Sequence, residues 1–556
     1  MIKNLQLKFG RAVGSDPVIV NALPITVFVG PNNSGKSQVL KEVVQFCQSG
    51  NRNSNAAIID NIELQAVSAD HVTERIEAVK LKPNPNEAIQ PDHVLVGKRG
   101  ARRQVSTTML KQALEQPNQK PQYTCQWYLA YNTLMLDGKN RINLVKQQGA
   151  GNLQAPAQSS FQVLFRDDLK RKEVRRIIFE AFNQYLVIDP TNLGQLSLRL
   201  SQEPPTTDLI ERGIHAEAVE FHSKATPIDI ASDGVKAFTG MITEMIAGDP
   251  SVLLIDEPEA FLHPSLSFKL GKEVATVMSG TEKRLFVSTH SPNFVMGCIQ
   301  SGAPVNIVRL TYRDKVPTAR VLPNSEILRL MRNPLLRSTG VLSGLFYEFV
   351  IVTESDADRA FYQEINDRLL KHDDFDGIPN CLFLNAQNKQ TVKTIIKPLR
   401  ELGIPVACIV DIDVIKDGGT VWTSFLDAGF IPEIERQPLA SLRSSLRRKF
   451  EGSDKDMKRD GGLEILQNGD KEALTNLFEK LAEYGLFVVP GGELESWLNH
   501  LEATGHGPNW LIQIFEKMGE DPSSGDYTHP SNEDVWSFVG RIKIWFFNQM
   551  RKGVPR

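Results

Sequence analysis

The sequence predicts a mixed α/β protein with a P-loop nucleotide-binding domain followed by a domain with a Rossmann-like parallel sheet. Near the N-terminus, an apolar strand candidate leads into a glycine-rich loop and an amphipathic helix, over residues 25–47. Strand and helix candidates alternate again over residues 349–413, a pattern typical of a parallel sheet. The chain has 556 residues, which is more than one hydrophobic core normally serves.

The composition is that of a globular protein without a strong overall charge. Apolar residues make up 41%, charged residues 23%, and the formal net charge is −3. A nucleic-acid partner must therefore be bound by a local basic surface. The candidate segments are Gly97–Arg103, Lys170–Arg176 and Ser441–Phe450, although a run of charges is more often a solvated helix face.

The cysteines and the N-terminus favour a cytoplasmic protein. The five cysteines are scattered without a C-x-x-C pair, which fits a reducing compartment and argues against a structural zinc site. The N-terminal residues lack the apolar core of a signal peptide. No stretch approaches the roughly 20 apolar residues that span a bilayer, so no membrane association is expected.

The segment GPNNSGKS, residues 30–37, predicts a phosphate-binding loop. It follows the strand candidate ITVFV and precedes a helical pattern, which is the context that G-x-x-x-x-G-K-S requires. Its glycines let backbone N–H groups surround phosphate, Lys36 reaches the outer phosphates and Ser37 offers a hydroxyl to Mg²⁺. The predicted ATP contacts in this loop are Gly30, Asn32, Asn33, Ser34, Gly35, Lys36 and Ser37.

Two later strand candidates complete a nucleotide site. VLLI ends in Asp256 and Glu257, and RLFVST ends at His290. Asp256 can hold Mg²⁺ through water, and Glu257 can orient or deprotonate the attacking water. His290 can sense the terminal phosphate, although a single histidine at a strand end is more often structural.

These motifs, in this order, resemble those of the ABC-type ATPases of the OLD and RecF-like group. The resemblance makes Asp256 and Glu257 the Walker B pair and His290 the switch histidine. In the segment ASDGVKAF, Ser232 and Gly234 match the small-residue core of that group's signature loop, whereas Asp233 and Val235 depart from it. A signature loop acts on nucleotide held by a second subunit, so the resemblance implies a homodimer or higher homo-oligomer with ATP at the interface.

A second group of acidic residues begins at Glu354, where the strand candidate FVIV leads into an amphipathic helix. Ser355 and Asp358 form a capping-box pattern, which explains Asp358 but leaves Glu354 without a structural role. The strand candidate IPVACIV then ends in Asp411 and Asp413, whose side chains should share one face because side chains alternate along a strand. Carboxylates that meet at one sheet edge repel one another unless a cation neutralises them, and Mg²⁺ or Mn²⁺ suits such ligands.

Glu-x-x-x-Asp followed by Asp-x-Asp two strands later resembles a Toprim domain, which is found in topoisomerases, bacterial primases and OLD nucleases. Ser355 stands where that domain usually has glycine. Glu493 and Glu495, in LFVVPGGELESWL, resemble the C-terminal acidic element of OLD-type Toprim domains, with Glu493 the preferred candidate. Lys543 is a weak candidate for the family's C-terminal lysine. The metal ligands that the two resemblances imply are Glu354, Asp358, Asp411, Asp413, Glu493, Glu495, Ser37 and Asp256.

The two-part order resembles the OLD family, which includes the nuclease subunit of the Gabija anti-phage system. We expect an ATPase domain over residues 1–340, with a helical or dimerisation segment inserted at roughly 50–200, and a Toprim domain over residues 345–556. The resemblance implies cleavage of phosphodiester bonds, with DNA as the expected substrate. In a two-metal scheme Glu354, Asp411 and Asp413 hold the ions, and ATP regulates access to the site.

Several alternatives stay open at this stage. A Toprim nuclease acting on RNA such as tRNA is equally compatible with the motifs, and a RecF-like DNA clamp without nuclease activity would need only residues 1–340. A topoisomerase or a primase is disfavoured because neither a tyrosine-bearing partner domain nor a set of zinc ligands is evident. His500 and His506 are interpreted as loop residues. Anti-phage defence, together with a helicase or another defence-system subunit, is implied by family company alone.

Overall fold

The computed structural model describes residues 1–12, 14–83, 87–98, 101–322, 324–334, 340–372 and 377–555. The chain folds as two compact units, Met1–Ser325 and Glu326–Arg556. The predicted basic segment Gly97–Arg103 lies partly outside the described residues. Among the described helices, none has the length and apolar character that crossing a membrane requires.

The first unit contains strands from several small sheets and one large sheet. Its strands are β1 (Ile2–Leu7), β2 (Ile19–Asn21), β3 (Ile25–Val29), β4 (Ile59–Leu64), β5 (His93–Val96), β6 (Arg103–Ser106), β7 (Thr133–Leu136), β8 (Gln148–Gly149), β9 (Tyr185–Asp189), β10 (Gln195–Ser201), β11 (Thr226–Pro227), β12 (Val252–Asp256), β13 (Arg284–Ser288), β14 (Val305–Arg313) and β15 (Val316–Leu322).

The helices of this unit are mostly short. They are α1 (Lys36–Ser49), α2 (Ala69–Glu77), α3 (Thr107–Glu115), α4 (Pro121–Thr124), α5 (Ala130–Asn132), α6 (Asn140–Asn143), α7 (Ser160–Arg166), α8 (Asp168–Phe182), α9 (Asp208–Arg212), α10 (Ala216–Lys224), α11 (Asp233–Thr243), α12 (Pro264–Met278) and α13 (Pro292–Gln300). Two π-helical segments, Cys125–Leu129 and Glu244–Gly248, extend helices, and α14 (Asn324–Arg332) spans the division of the chain.

The large sheet of the first unit has the described strands in the order β15-β14-β3-β13-β12-β7. All neighbours pair in parallel except β14 and β15. Every residue of β3 is buried, as expected for a central parallel strand with an uninterrupted apolar sequence. The loop after β3 and the residues after β12 and β13 therefore meet at one edge of this sheet, where open α/β sheets bind ligands.

Residues 50–200 contribute to several parts of the first unit. Strand β4 pairs with β1 in an antiparallel sheet, and β7 forms the edge of the large sheet. Strands β9 and β10 form an antiparallel hairpin, to which β8 and β11 add.

The three arginines of the predicted basic segment Lys170–Arg176 all form ion pairs. Arg171 and Arg175 both form ion pairs with the fully buried Glu211. Arg176 pairs with Glu173 and Glu180 on its own helix. Arg171 and Arg175 thus neutralise a buried acidic group, and only the exposed residues of the segment, such as Lys172 and Arg176, are available to a nucleic acid.

The second unit is built on a parallel sheet flanked by helices. Its strands are β16 (Phe349–Thr353), β17 (Cys381–Asn385), β18 (Val406–Val410) and β19 (Leu486–Val488). Its helices are α15 (Asp356–Leu370), α16 (Lys389–Glu401), α17 (Gly419–Ala428), α18 (Glu433–Glu451), α19 (Asn468–Ala482), α20 (Pro508–Met518) and α21 (Asp534–Phe547). Short 3₁₀ turns lie at Val341–Phe346, Ile412–Lys416, Gly462–Ile465, Leu494–Ser496 and Asn499–Leu501.

The strand order is β17-β16-β18-β19, and all pairs in the described residues are parallel. This confirms the alternation of strands and helices that the sequence predicts over residues 349–413. One face carries an aromatic core that includes Tyr362 and Trp497, and the Trp497 Nε1–H donates to the Tyr362 hydroxyl over 2.8 Å. The order places the ends of β16 and β18 side by side.

A buried arginine ties the start of the sheet to the far end of the chain. Arg400 is fully buried, and its guanidinium donates to the carbonyls of Val406, Gly429, Gly485 and Gly553. These acceptors satisfy a charge that would otherwise be costly to bury.

The predicted basic segment Ser441–Phe450 lies within α18. Arg443 is buried and donates to the carbonyls of Ile415 and Asp417, and Arg447 pairs with Glu451 one turn further on. At least these two arginines serve local structure.

Candidate nucleotide and metal sites

The glycine-rich loop connects β3 to α1 as the motif predicts. Gly30 and Gly35 have φ angles of 143° and 92°, which side chains rarely adopt. A Cβ on Gly30 would lie 2.0 Å from the Leu310 carbonyl oxygen, so the loop passes directly against β14. Only glycine fits this position, and the tight path leaves backbone N–H groups at the N-terminus of α1, where anions bind.

Lys36 and Ser37 are both engaged at this loop. The Lys36 ammonium donates to the carbonyls of Gly30 and Pro31 at 2.9 and 2.7 Å. Burial lowers the pKa of Lys36 to about 8, against the opposing influence of Glu257 and Asp256. The Ser37 hydroxyl donates to Asp256 Oδ1 over 2.8 Å, which brings the loop and the end of β12 together.

Asp256, Glu257 and His290 gather at the same sheet edge. The Ser288 hydroxyl also donates to Asp256 Oδ1, and the Glu257 N–H donates to the Ser288 carbonyl over 2.8 Å. The His290 Nε2 lies 3.5 Å from Glu257 Oε1. Burial, followed by the Lys36 charge, lowers the pKa of His290, so its neutral form is favoured.

Two residues that sequence reasoning did not single out hold this arrangement. Glu259 accepts from the Thr289 hydroxyl and the His290 N–H at 2.8 and 2.6 Å, and burial raises its pKa. Arg141, fully buried, donates to the carbonyls of Asp256 and Glu257 at 3.0 and 2.7 Å. The sequence signal for Glu259 was its place in DEPE, whereas nothing near Arg141 marks it.

Ser232 and Gly234 form the N-terminus of α11. The Ser232 hydroxyl accepts from the Val235 N–H as a helix cap. A Cβ on Gly234 would lie 2.5 Å from the Phe261 carbonyl oxygen, so α11 packs tightly on the segment that follows Asp256 and Glu257. The position of Gly234 therefore requires a residue without a side chain.

Glu354, Asp411 and Asp413 converge in the second unit. Glu354 follows β16 and Asp411 follows β18, and one carboxylate oxygen of each of the three residues lies within 4.8 Å of the others. The Asp411 N–H donates to Glu354 Oε1 over 3.0 Å. The parallel pairing of β16 with β18 produces this meeting.

The reason given for the pairing of Asp411 with Asp413 was wrong. Strand β18 ends at Val410, and Asp411 is the N-cap of the 3₁₀ turn Ile412–Lys416. The two carboxylates come together through this turn and not through alternation along a strand.

Burial and mutual repulsion disfavour the ionised forms of Glu354 and Asp411, and a bound cation would offset both effects. Burial, with the neighbouring Asp411, raises the pKa of Glu354 to about 8. Burial also raises the pKa of Asp411 to about 7, although Lys458 opposes the change. Three crowded, half-buried carboxylates are a set that suits Mg²⁺ or Mn²⁺, so the residues fit the predicted metal.

Asp358 serves α15. Its Oδ2 accepts from the Ser355 N–H and hydroxyl at 2.9 and 2.6 Å, completing a capping box. Burial raises its pKa, with Glu495 among the contributing charges. Asp358 therefore lies close enough to Glu495 to feel its charge, but its Oδ2 is occupied by the hydrogen bonds of the helix cap.

Glu493 and Glu495 lie in a second cluster that includes His506. One ligand atom from each of the three residues lies within 4.8 Å of the others, with His506 Nδ1 2.8 Å from Glu495 Oε1 and 3.9 Å from Glu493 Oε1. Gly507 N–H also donates to Glu495 Oε1 over 2.6 Å. His506 is in a loop, as interpreted, yet it contacts both predicted acidic ligands.

The lysine at the acidic residues is Lys458, which the sequence did not indicate. Its Nζ lies 2.6 Å from Asp411 Oδ2 and 3.5 Å from Glu493 Oε2. Lys543, the earlier candidate, places its Nζ 5.7 Å from the Phe547 ring centre and lines a different cavity. Lys458 follows Asp456 in a polar loop without any motif, so no local signal could have found it.

Comparison with known proteins identifies two family models in the chain. Residues 145–296 match the model described as "AAA domain, putative AbiEii toxin, Type IV TA system". Residues 345–413 match "Overcoming lysogenization defect protein-like, TOPRIM domain". No curated protein matches the chain.

Solved structures with partial similarity include heads of SMC proteins. The SMC head bound to the C-winged helix domain of ScpA is 15% identical, covers 59% of this chain and 99% of its own, and has a TM-score of 0.32. The SMC head domain from Thermotoga maritima is 13% identical, with coverages of 58% and 99% and a TM-score of 0.29. These TM-scores are low and give the likenesses no weight in assigning a function.

The order of the two family models matches the order of the two units. The ATPase model lies in the unit with the glycine-rich loop, and the Toprim model covers Glu354, Asp411 and Asp413. The chain thus joins an ATPase domain to an OLD-like Toprim nuclease domain, which is the architecture of the OLD family.

Proposed function

We propose that this chain is a divalent-metal-dependent endonuclease that cleaves DNA at Glu354, Asp411 and Asp413, under the control of ATP bound in the first unit. The observation that carries the proposal is the convergence of these three carboxylates within 4.8 Å at the edge of the parallel sheet. The Toprim family model over the same residues supports it.

The role of the acidic residues is to bind Mg²⁺ or Mn²⁺ and to orient a phosphodiester. Such ions, when bound, activate a water molecule and stabilise the leaving oxygen. Glu354, Asp411 and Asp413 are the primary ligands in this proposal, and Glu493, Glu495 and His506 form a second candidate set. Asp358 keeps α15, and with it Glu354, in place through its capping box.

A groove of about 600 Å³ beside the acidic residues is the proposed path of the nucleic acid. Its lining includes Lys458, Arg459, Glu493, Glu495 and His506. The cationic side chains in this lining suit a phosphate backbone, while the acidic ones suit the ions that act on it. DNA is the proposed substrate, and RNA such as tRNA is the alternative that the experiment below separates.

In the first unit, ATP is proposed to bind at Gly30, Asn32, Asn33, Ser34, Gly35, Lys36 and Ser37. Ser37 and Asp256, already joined by a hydrogen bond, are the proposed Mg²⁺ ligands. Glu257 is the proposed residue that orients the attacking water, with His290 beside it as the phosphate sensor.

Ser232 and Gly234 are proposed to contact ATP held by a second copy of the chain. Support comes from their position at the N-terminus of α11, where backbone N–H groups favour an anion, and from the small size that the Phe261 contact imposes on Gly234. A homodimer follows from this arrangement, and ATP-dependent dimer formation is the proposed means of regulating cleavage. Anti-phage defence, alone or with a helicase subunit, is the proposed setting.

The test is cleavage of supercoiled plasmid, linear DNA and total tRNA with Mg²⁺ or Mn²⁺, with and without ATP. We expect cleavage of DNA by the wild type and a loss of at least about thousandfold in Glu354→Ala, Asp411→Ala and Asp413→Ala, with ATP hydrolysis retained. Asp356→Ala, which changes an exposed acidic residue paired with Arg359, is the control that should cut normally. Normal cleavage by all three variants contradicts the proposed site, and cleavage of tRNA alone moves the substrate to RNA.

A further inference from the structure

Lys458 bridges the two groups of acidic residues in the second unit. Its Nζ lies 2.6 Å from Asp411 Oδ2 on one side and 3.5 Å from Glu493 Oε2 on the other. The Lys458 side chain is 27% exposed, and those of Asp411 and Glu493 are 15% and 10% exposed. An ion pair this sheltered is only weakly screened by salt, unlike one on an open surface.

The loop that carries Lys458 is fixed against the turn that carries Glu493. A Cβ on Gly492 would lie 2.0 Å from the Lys458 carbonyl oxygen, and a Cβ on Gly462 would lie 2.3 Å from the Pro490 carbonyl oxygen. The Leu463 N–H donates to the Pro490 carbonyl over 2.8 Å. Glycine at both positions allows the two backbones to touch, so Lys458 reaches the carboxylates from a backbone that is itself held.

Further hydrogen bonds set the direction of this loop. Asp456 Oδ1 accepts from the N–H groups of Lys458 and Arg459 at 2.8 and 3.3 Å. The turn that carries Glu493 is also joined to the segment after Asp411, because the Ile412 N–H donates to the Gly492 carbonyl over 2.9 Å. The ammonium and both of its carboxylate partners are thus placed by one connected backbone network.

We propose that Lys458 is a built-in counter-cation, which neutralises the acidic residues before a divalent ion arrives and is displaced when the ion binds. The inference rests on the proposed metal site, where the Lys458 ammonium would compete with the divalent ion for the Asp411 carboxylate. A dication held by Asp411 would lie within a few ångströms of the ammonium, and like charges at that distance repel strongly in a sheltered site. The four-carbon stem of lysine lets the ammonium swing toward the groove while the backbone stays in place.

The exchange has a thermodynamic signature. A divalent ion must break the Lys458–Asp411 ion pair, so part of its binding free energy is spent on displacing Lys458. By linkage, removing the ammonium should tighten metal binding and, in the absence of metal, should leave the carboxylates without a neutralising partner.

The test compares Mn²⁺ binding by calorimetry to the wild type, Lys458→Gln and the control Lys455→Gln, an exposed lysine of the same loop. We expect Lys458→Gln to bind Mn²⁺ about tenfold more tightly, which corresponds to about 1.4 kcal/mol, with no change in the control. Thermal unfolding supplies the second readout, in which Lys458→Gln unfolds at a lower temperature than the wild type without metal and gains more from added Mn²⁺. Far-UV circular dichroism checks that each variant keeps its secondary structure.

The outcomes separate the inference from the proposed function. Unchanged or weaker Mn²⁺ affinity in Lys458→Gln, while the wild type binds the ion, overturns the exchange and leaves the metal site standing. Binding of Mn²⁺ by Lys458→Gln alone supports the exchange, since the ammonium then blocks the site. Absence of binding in both proteins overturns the metal site and the exchange together.

Discussion

Lys36 and Lys458 lie beside acidic residues at the edges of two parallel sheets, yet their electrostatic situations are opposite. Lys36 donates to two neutral carbonyls, and burial lowers its pKa to about 8. Burial also opposes the charge of Lys458, but the carboxylates of Asp411, Asp413 and Glu493 together raise its pKa above the ordinary value. A bound phosphate would stabilise the charged form of Lys36, which has no anionic partner within hydrogen-bonding distance among the described residues. Lys458 already pairs with Asp411, and only a cation of higher charge is expected to displace it.

The largest expected effect is on ATP hydrolysis at the sheet edge where Lys36 lies. Glu257→Gln removes the carboxylate beside His290 that is proposed to orient water, so hydrolysis should fall by about thousandfold while ATP still binds. Single-turnover hydrolysis and equilibrium nucleotide binding measure the two quantities separately. Glu282→Gln, an exposed residue that pairs with Arg75, is the control. Hydrolysis at the wild-type rate would exclude Glu257 from the proposed role.

Removing the first lysine should weaken nucleotide binding. Lys36→Met deletes the ammonium at the phosphate loop, and we expect ATP affinity to fall by about a hundredfold, without any change in Mn²⁺ binding by the second unit. Lys41→Met, which changes an exposed lysine of the same helix, should bind ATP normally. Fluorescence titration with a labelled ATP analogue measures the affinity. Equal affinity in both variants would remove the contrast between the two lysines.

The pH dependence of the acidic residues sharpens the contrast further. Folding raises the carboxyl pKa of Glu354 from 4.5 to about 8 and that of Asp411 from 3.8 to about 7. The folded state thus holds protons that the unfolded state releases. The resulting stability is fully present below about pH 4 and is lost as the pH rises through about 7 to 8.

Metal binding should show the reverse trend. Divalent ions compete with these protons, so between pH 6 and 8 Mn²⁺ affinity should rise by up to about tenfold per pH unit for each proton that binding releases. Calorimetry in two buffers that differ in ionisation enthalpy should detect proton release on Mn²⁺ binding at pH 7. Binding without proton release would show that both groups are already ionised in the folded protein.

The smallest expected effect concerns the backbone that holds Lys458. Gly492→Ala places a Cβ against the Lys458 carbonyl at a φ of 126°, so the free energy of unfolding should fall by about 1–2 kcal/mol. The same variant should also loosen the Lys458–Asp411 pair and raise Mn²⁺ affinity slightly. Gly469→Ala, at the start of α19, is the matched control because a Cβ there meets no atom within 4 Å. Equal thermal unfolding of both variants would show that the contact does not hold the loop.

The two regions also differ in how far the sequence predicts them. The phosphate loop is contiguous, and its glycines, Lys36 and Ser37 carry the geometry in their spacing, so the strand, loop and helix lie where the motif places them. Asp256 is the last residue of the apolar strand β12 and His290 lies just after β13, which marks both almost as clearly. The parallel order in the second unit could be predicted because its strands are short apolar runs separated by amphipathic helices.

The remaining features depend on contacts between distant parts of the chain. Lys458 is close to Asp411 only because Gly462 and Gly492 let two loops touch, and no spacing rule records such a contact. Arg141 supports Asp256 and Glu257 from a segment without a motif. Arg171 and Arg175 belong to a basic run in the sequence, but their buried partner Glu211 lies more than thirty residues later, so this pairing is evident only after folding.

The placement of Arg400 has a practical consequence for handling the protein. One of the four residues whose carbonyls accept from Arg400 is Gly553, so the segment around Gly553 helps to satisfy a buried charge. Trimming the chain before Gly553, or a protease nick near Lys552, would remove that acceptor and let water reach the sheet. Any truncation or fusion should therefore leave Gly553 and its neighbours in place.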